Sequence, residues 1–166
     1  MTMRTIGIDP GTAIMGWGIV ESTGGTLRSV DYSVLTTPAG SEPAQRLLIL
    51  YQGLTDLLRQ RQPDAAAVEE LFFSRNVTTA LAVGQARGVI LLALALANIP
   101  VFEYKPREVK QAVAGYGGAD KRQMQEMVRM TLGLPSIPRP DDAADALAIA
   151  ICHAYTAPML RRIAEG

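Results

Sequence analysis

The chain has 166 residues, 48% of them hydrophobic, with 16 basic and 16 acidic side chains. That length and apolar content suit one folded domain, 1–166, and exclude a disordered chain or two large domains. The zero formal net charge gives no bulk signal for a nucleic-acid or membrane partner, and the single cysteine, Cys152, excludes an internal disulfide and a cysteine-based zinc site.

Strand-like sequence begins within a few residues of the start, leaving no room for a signal peptide. The longest apolar run, 89–97, is shorter than the roughly 20 residues that span a bilayer. It reads as a buried helix, and the chain as cytoplasmic.

Residues 4–9 read as a first strand, Thr5-Ile6-Gly7-Ile8-Asp9, stopped by Pro10-Gly11. A second strand over 13–22 returns to the hairpin signal Gly24-Gly25, and 26–36 form a third. Ser41 is placed as an N-cap with Pro43 in the first turn. Leu47, Leu50, Tyr51, Leu54, Leu57 and Leu58 then recur at helical spacing to about Arg61, and Pro63 ends the helix. A short apolar strand spans 65–69, and a loop over 71–75 carries Phe72 and Phe73. Asn76 caps a long helix to about Ala97, closed by Asn98 and Pro100. A fifth strand, 101–104, leads to a short helix over 106–114 and a glycine-rich loop to 118. Helices over 120–132 and from Asp141 to about Thr156 follow, joined by the proline-rich connector 135–140.

Three meandering strands, then helix, strand, helix and strand, describe a mixed five-stranded α/β domain. The right-handed crossover rule sets its order as 3-2-1-4-5. Asp9 and Glu69 then lie at the carboxyl ends of adjacent parallel strands, a favoured position for sites in open sheets. Taken alone, Asp9 reads equally well as a turn cap. Alternation sends Glu70 to another face than Glu69. Asp142 and Asp145 are three apart and share a helix face. Capping and the helix dipole account for Asp141 and adequately for Asp142. They do not account for Asp145, which lies a turn inside among Ala143, Ala144, Ala146 and Leu147.

Four such carboxylates repel unless something neutralises them. All-oxygen ligands suit Mg²⁺, with Mn²⁺ as a substitute. Two such ions activate a water and stabilise the leaving oxygen of a phosphodiester. The chemistry is that of a metal-dependent nuclease.

Ile8-Asp9-Pro10-Gly11, Val68-Glu69-Glu70-Leu71-Phe72, Gly84-Gln85-Ala86-Arg87-Gly88, Val109-Lys110-Gln111 and Asp142-Ala143-Ala144-Asp145-Ala146-Leu147-Ala148 stand in the order of the RuvC family. From about Arg4 to Tyr155 the chain resembles these bacterial Holliday junction resolvases. The resemblance implies a ribonuclease H-like fold and a homodimer with one active site per subunit. It further implies paired nicks in two strands of like polarity across a four-way DNA junction, leaving 5′-phosphate and 3′-hydroxyl ends. The family's catalytic acids fall on Asp9, Glu69, Asp142 and Asp145, and its branch-migration partners are RuvA and RuvB. At Asp142 family members vary, and the neighbouring Asp141 adds a second candidate.

Phe72 and Phe73 read either as loop-packing residues or as stacking groups for unpaired junction bases, with Phe72 favoured by the family pattern. Arg75, Arg107, Lys110, Lys121 and Arg122 are candidate phosphate contacts. Lys110 and Lys121 match basic positions of the family. The small residues of the helix after Asn76 allow close approach either to its own sheet or, as the resemblance implies, to a second subunit. Two other readings share features with this one. A ribonuclease H-like enzyme acting on RNA or RNA–DNA hybrid shares the acids. An actin-like nucleotide-binding protein shares the first loop but needs a second glycine-rich phosphate loop, which this sequence lacks.

Overall fold

The computed structural model describes residues 1–70 and 76–166. Its elements in chain order are β1 (Thr2–Asp9), β2 (Ile14–Thr23), β3 (Thr26–Thr36), α1 (Pro43–Arg61), β4 (Ala65–Glu69), α2 (Val77–Leu96), β5 (Val101–Tyr104), α3 (Pro106–Ala114), α4 (Lys121–Leu132) and α5 (Asp141–Glu165). The sheet order is β3-β2-β1-β4-β5, as the connection rules require. β1 pairs antiparallel with β2 and parallel with β4. It is therefore the seam between the meander and the crossover half.

Side-chain alternation along β1 divides the core in two. Ile6 and Ile8 join Met15, Trp17, Ile19, Ala66 and Val68 against α1 and α2. Val20 and Ala67 join Leu147, Ala150 and Ile151 on the face covered by α5. Ile6 and Ile8 are completely buried, each a stabilisation of about 1.5–3 kcal/mol relative to exposure. Gly7 and Asp9 point to the α5 face by the same period, as do Ala67 and Glu69.

Three local expectations are corrected. The N-cap of α1 is Glu42, in extended conformation, and not Ser41. Pro43 occupies the first turn, and the residue before a proline is driven out of the helical region whatever its own side chain. Likewise Pro140 is the N-cap residue of α5, so Asp141 lies inside the helix and is not its cap. α5 also continues past Thr156 to Glu165, through Pro158. A proline there removes one backbone bond, but Ala157 remains buried and keeps the turn attached to the domain.

The 89–97 segment is buried on one side only: Ile90, Ala93 and Leu94 are interior, while Leu92 and Leu96 are 54% and 63% exposed. Asn76 does cap α2, its side-chain oxygen accepting from the Thr78 and Thr79 amides at 3.1 and 3.3 Å. By length and composition α2 and α5 could each cross a membrane; α5 is instead a core helix, with twelve buried residues in this domain.

Candidate active site

Asp9 is the last residue of β1, directly opposite Gly16 on β2. Glu69 ends β4 one residue beyond Val68, which pairs with Ile8. Parallel register thus brings the two carboxylates to the same end and the same face of the sheet. The other two acids arrive on α5, and glycine decides how close that helix comes. A Cβ at Gly16 would lie 2.0 Å from the Asp142 carbonyl oxygen, and one at Gly7 would lie 2.0 Å from that of Ala146. No side chain fits either gap, so the first turns of α5 rest directly on the strand backbones.

Carboxylate oxygens of Asp9, Asp142 and Asp145 consequently lie within 4.8 Å of one another. Glu69 is not part of that tight group. It stands beside it, electrostatically coupled to Asp9 and Asp145. Burial, followed by the charges of Asp145, Glu69 and Asp142, pushes the Asp9 carboxyl up to about 8. Burial also raises Glu69 and Asp145, opposed by Lys110 at Glu69 and by Lys121 at Asp145. Negative charge packed this way is costly unless a cation shares it. The donors are all hard oxygens, which is the ligand set for a divalent metal of the Mg²⁺ class.

A cavity of about 240 Å³ opens at this end of the sheet, lined by Glu69, Lys110, Lys121, Gln125 and Asp145. The two lysines approach from α3 and α4 and face the acids across it. Arg107 lies on the outer side of α3, its aliphatic stem packed on Gly117, and shares a neighbouring groove with Lys110. Arg122 is exposed on the first turn of α4. Phe72, Phe73 and Arg75 lie outside the described residues.

Sequence reasoning missed the strand glycines, although a glycine inside a strand is a known sign of close backbone approach. It also missed Arg139 and Gln125. Both contact Asp141, Gln125 from α4 and Arg139 from the connector before α5, and helical periodicity connects neither of them to it.

Comparison with known proteins agrees with this geometry. The family model for crossover junction endodeoxyribonuclease RuvC matches residues 5–153. The RuvC of Chloroflexus aggregans is 74% identical over 160 residues, 96% of this chain and 98% of that protein. That of Desulfitobacterium hafniense is 58% identical, covering 97% and 98%. Among solved structures, T. thermophilus RuvC in complex with Holliday junction substrate superposes with a TM-score of 0.90 at 41% identity, covering 95% of this chain and 96% of that one. The yeast mitochondrial Holliday junction resolvase Ydc2 (TM-score 0.67, 16% identity, 96% of this chain and 82% of that one) shares the fold. The motifs, the sheet order and the clustered acids thus have one explanation: the chain belongs to the RuvC family of crossover junction endodeoxyribonucleases.

Proposed function

We propose that this protein resolves Holliday junctions by paired nicks in strands of like polarity, with residues 1–166 working as one nuclease domain in the cytoplasm. The observation that carries the reading is the Asp9–Asp142–Asp145 cluster beside a cavity that Asp145 and Glu69 line together with Lys110 and Lys121. It occurs in a chain 41% identical to a RuvC solved with its junction substrate. Mg²⁺, or Mn²⁺ in its place, held as two ions by Asp9, Asp142, Asp145 and Glu69, would supply an activated water and charge neutralisation at the leaving oxygen.

The chain's own residues do the rest. Lys110 and Lys121 bind phosphate oxygens beside the cut, with Arg107, Arg122 and Arg75 extending the basic track. Phe72, supported by Phe73, stacks on bases unpaired at the crossover. Attack by water on phosphorus, opposite the 3′ oxygen, breaks the P–O3′ bond and leaves a 5′-phosphate and a 3′-hydroxyl.

The exposed face of α2 supports a homodimer. Val77, Leu81, Leu92 and Leu96 are exposed along one stripe of the helix. At Gly88, within that stripe, an added Cβ would meet nothing. A second copy packed there presents two equivalent sites to two equivalent strands. RuvA and RuvB are the partners expected from family membership.

The test is cleavage of a synthetic four-way junction beside a linear duplex and an RNA–DNA hybrid, in Mg²⁺, Mn²⁺ or EDTA, with Asp9→Asn as control. Symmetric metal-dependent nicks confined to the junction are expected. Cutting of the hybrid with the junction spared would overturn the substrate assignment.

A further inference from the structure

Asp141 is the one acid of the Asp141-Asp142-Ala143-Ala144-Asp145 stretch that faces away from the tight cluster, and it is fully engaged. Its Oδ2 accepts from Lys121 Nζ at 2.9 Å. Its Oδ1 accepts from Arg139 Nη1 and, at 3.3 Å, from Gln125 Nε2. Gln125 is buried, so the carboxylate is braced from behind while the two cations stand toward solvent, with side chains 60% and 66% exposed.

Exposed ion pairs contribute little to stability, so stabilising the fold is a weak account of this arrangement. Its geometric effect is stronger. Lys121 carries its charge on a four-carbon flexible stem, and Asp141 holds it at the cavity that also contains Glu69, Lys110 and Asp145. The ammonium has three donors and the guanidinium five. After Asp141 is satisfied, both cations keep N–H groups for an arriving phosphate.

We propose that Asp141 is a positioning residue that, braced by Gln125, holds Lys121 and Arg139 as a preset pair for the junction phosphates flanking the cut. This assigns Arg139 to the DNA surface. It rests on the resolvase reading for its substrate. A lysine held in place presents its ammonium at one fixed point, so the gain appears at the cleavage step, where the phosphate must be aligned. An acid that merely sits near DNA does the opposite: its removal relieves repulsion and tightens binding.

The experiment is single-turnover cleavage at saturating junction, together with junction binding in EDTA across a salt series. It uses Asp141→Asn, Asp141→Glu, Lys121→Ala, Arg139→Ala and the Asp141→Asn/Lys121→Ala double variant, with melting temperatures as a check on folding. Asp141→Asn is expected to slow cleavage about tenfold without weakening binding, and Asp141→Glu to recover part of the rate. In the Lys121→Ala background the Asp141→Asn loss should largely vanish, because that lysine is what Asp141 acts through. Arg139→Ala should lower the salt slope of binding by about one.

Tighter binding with an unchanged rate in Asp141→Asn would overturn the proposal. An equal slowing with and without Lys121 would also overturn it, as would an unchanged salt slope in Arg139→Ala. If the parent protein fails to cut junctions, the resolvase reading falls, and the EDTA salt slopes still decide whether Lys121 and Arg139 touch phosphate.

Discussion

At Asp9 the strand end, the helix and two further acids converge, and the carboxyl titrates near 8 instead of 3.8. A folded value above the unfolded one means that this group's contribution to stability is whole below about pH 4 and is lost as pH rises through about 8. In EDTA, Asp9→Asn is therefore expected to melt above the parent protein at about pH 9, with the difference closing toward pH 4. Differential scanning fluorimetry across that range checks it; a constant difference would point to packing and not to charge. The same variant should retain junction binding and lose cleavage. Divalent metal must also expel the Asp9 proton, so its affinity should climb as pH rises toward 8, as calorimetry in buffers of different ionisation enthalpy would show.

His153 gives the opposite limb. Burial, followed by the nearby charge of Arg161, drives the ring down to about 4. Its Nδ1 meets the Tyr104 hydroxyl at 2.7 Å, and its ring stacks on Phe102 at 4.3 Å between centroids. The unfolded chain takes up this proton first, so stability falls as pH drops from about 6.5 to about 4.

Among the elements, α5 carries the most. Gly7→Ala sets a methyl against the Ala146 backbone and is expected to destabilise by about 1–3 kcal/mol, read from denaturant midpoints. Gly16→Ala pushes on Asp142 itself, so its loss should appear in metal affinity and cleavage beyond any change in melting temperature. On α2, Leu92→Glu should convert the proposed dimer to monomer in sedimentation velocity while leaving the circular dichroism spectrum intact. An unshifted sedimentation coefficient would move the interface elsewhere.

β3, β4, β5 and α3 were legible with their boundaries, and α1 with its end, because Pro, Gly and Asn punctuate them and their apolar spacing is unambiguous. Asp9 and Glu69 were legible as neighbours because topology and register follow from connection rules. Asp142 and Asp145 could be named from the sequence, but not their distance from Asp9. That distance depends on two missing Cβ atoms at the helix–strand contact. The end of α5 was not legible, since Pro158 reads locally as a stop and only burial of Ala157 keeps the helix going. Nor was the partnership of Asp141 with Lys121, which joins α4 to α5 across the fold.

For the molecule as a whole, a zero net charge conceals a local arrangement: Asp9, Asp142 and Asp145 cluster at one end of the sheet, and Lys110 and Lys121 line the cavity beside Glu69 and Asp145. Removing Lys110 or Lys121 should each flatten the salt dependence of junction binding by about one phosphate, measured by fluorescence anisotropy.

The distribution of those acids along the chain has one more result. Asp9 lies far ahead of Asp142 and Asp145 in the chain. They meet only when α5 settles on the glycine gaps of β1 and β2. Contacts between such distant parts of a chain form late, after the loops between them have closed. A chain without a docked α5 lacks two of the three clustered acids, so a copy truncated before that helix is expected to cut no junction.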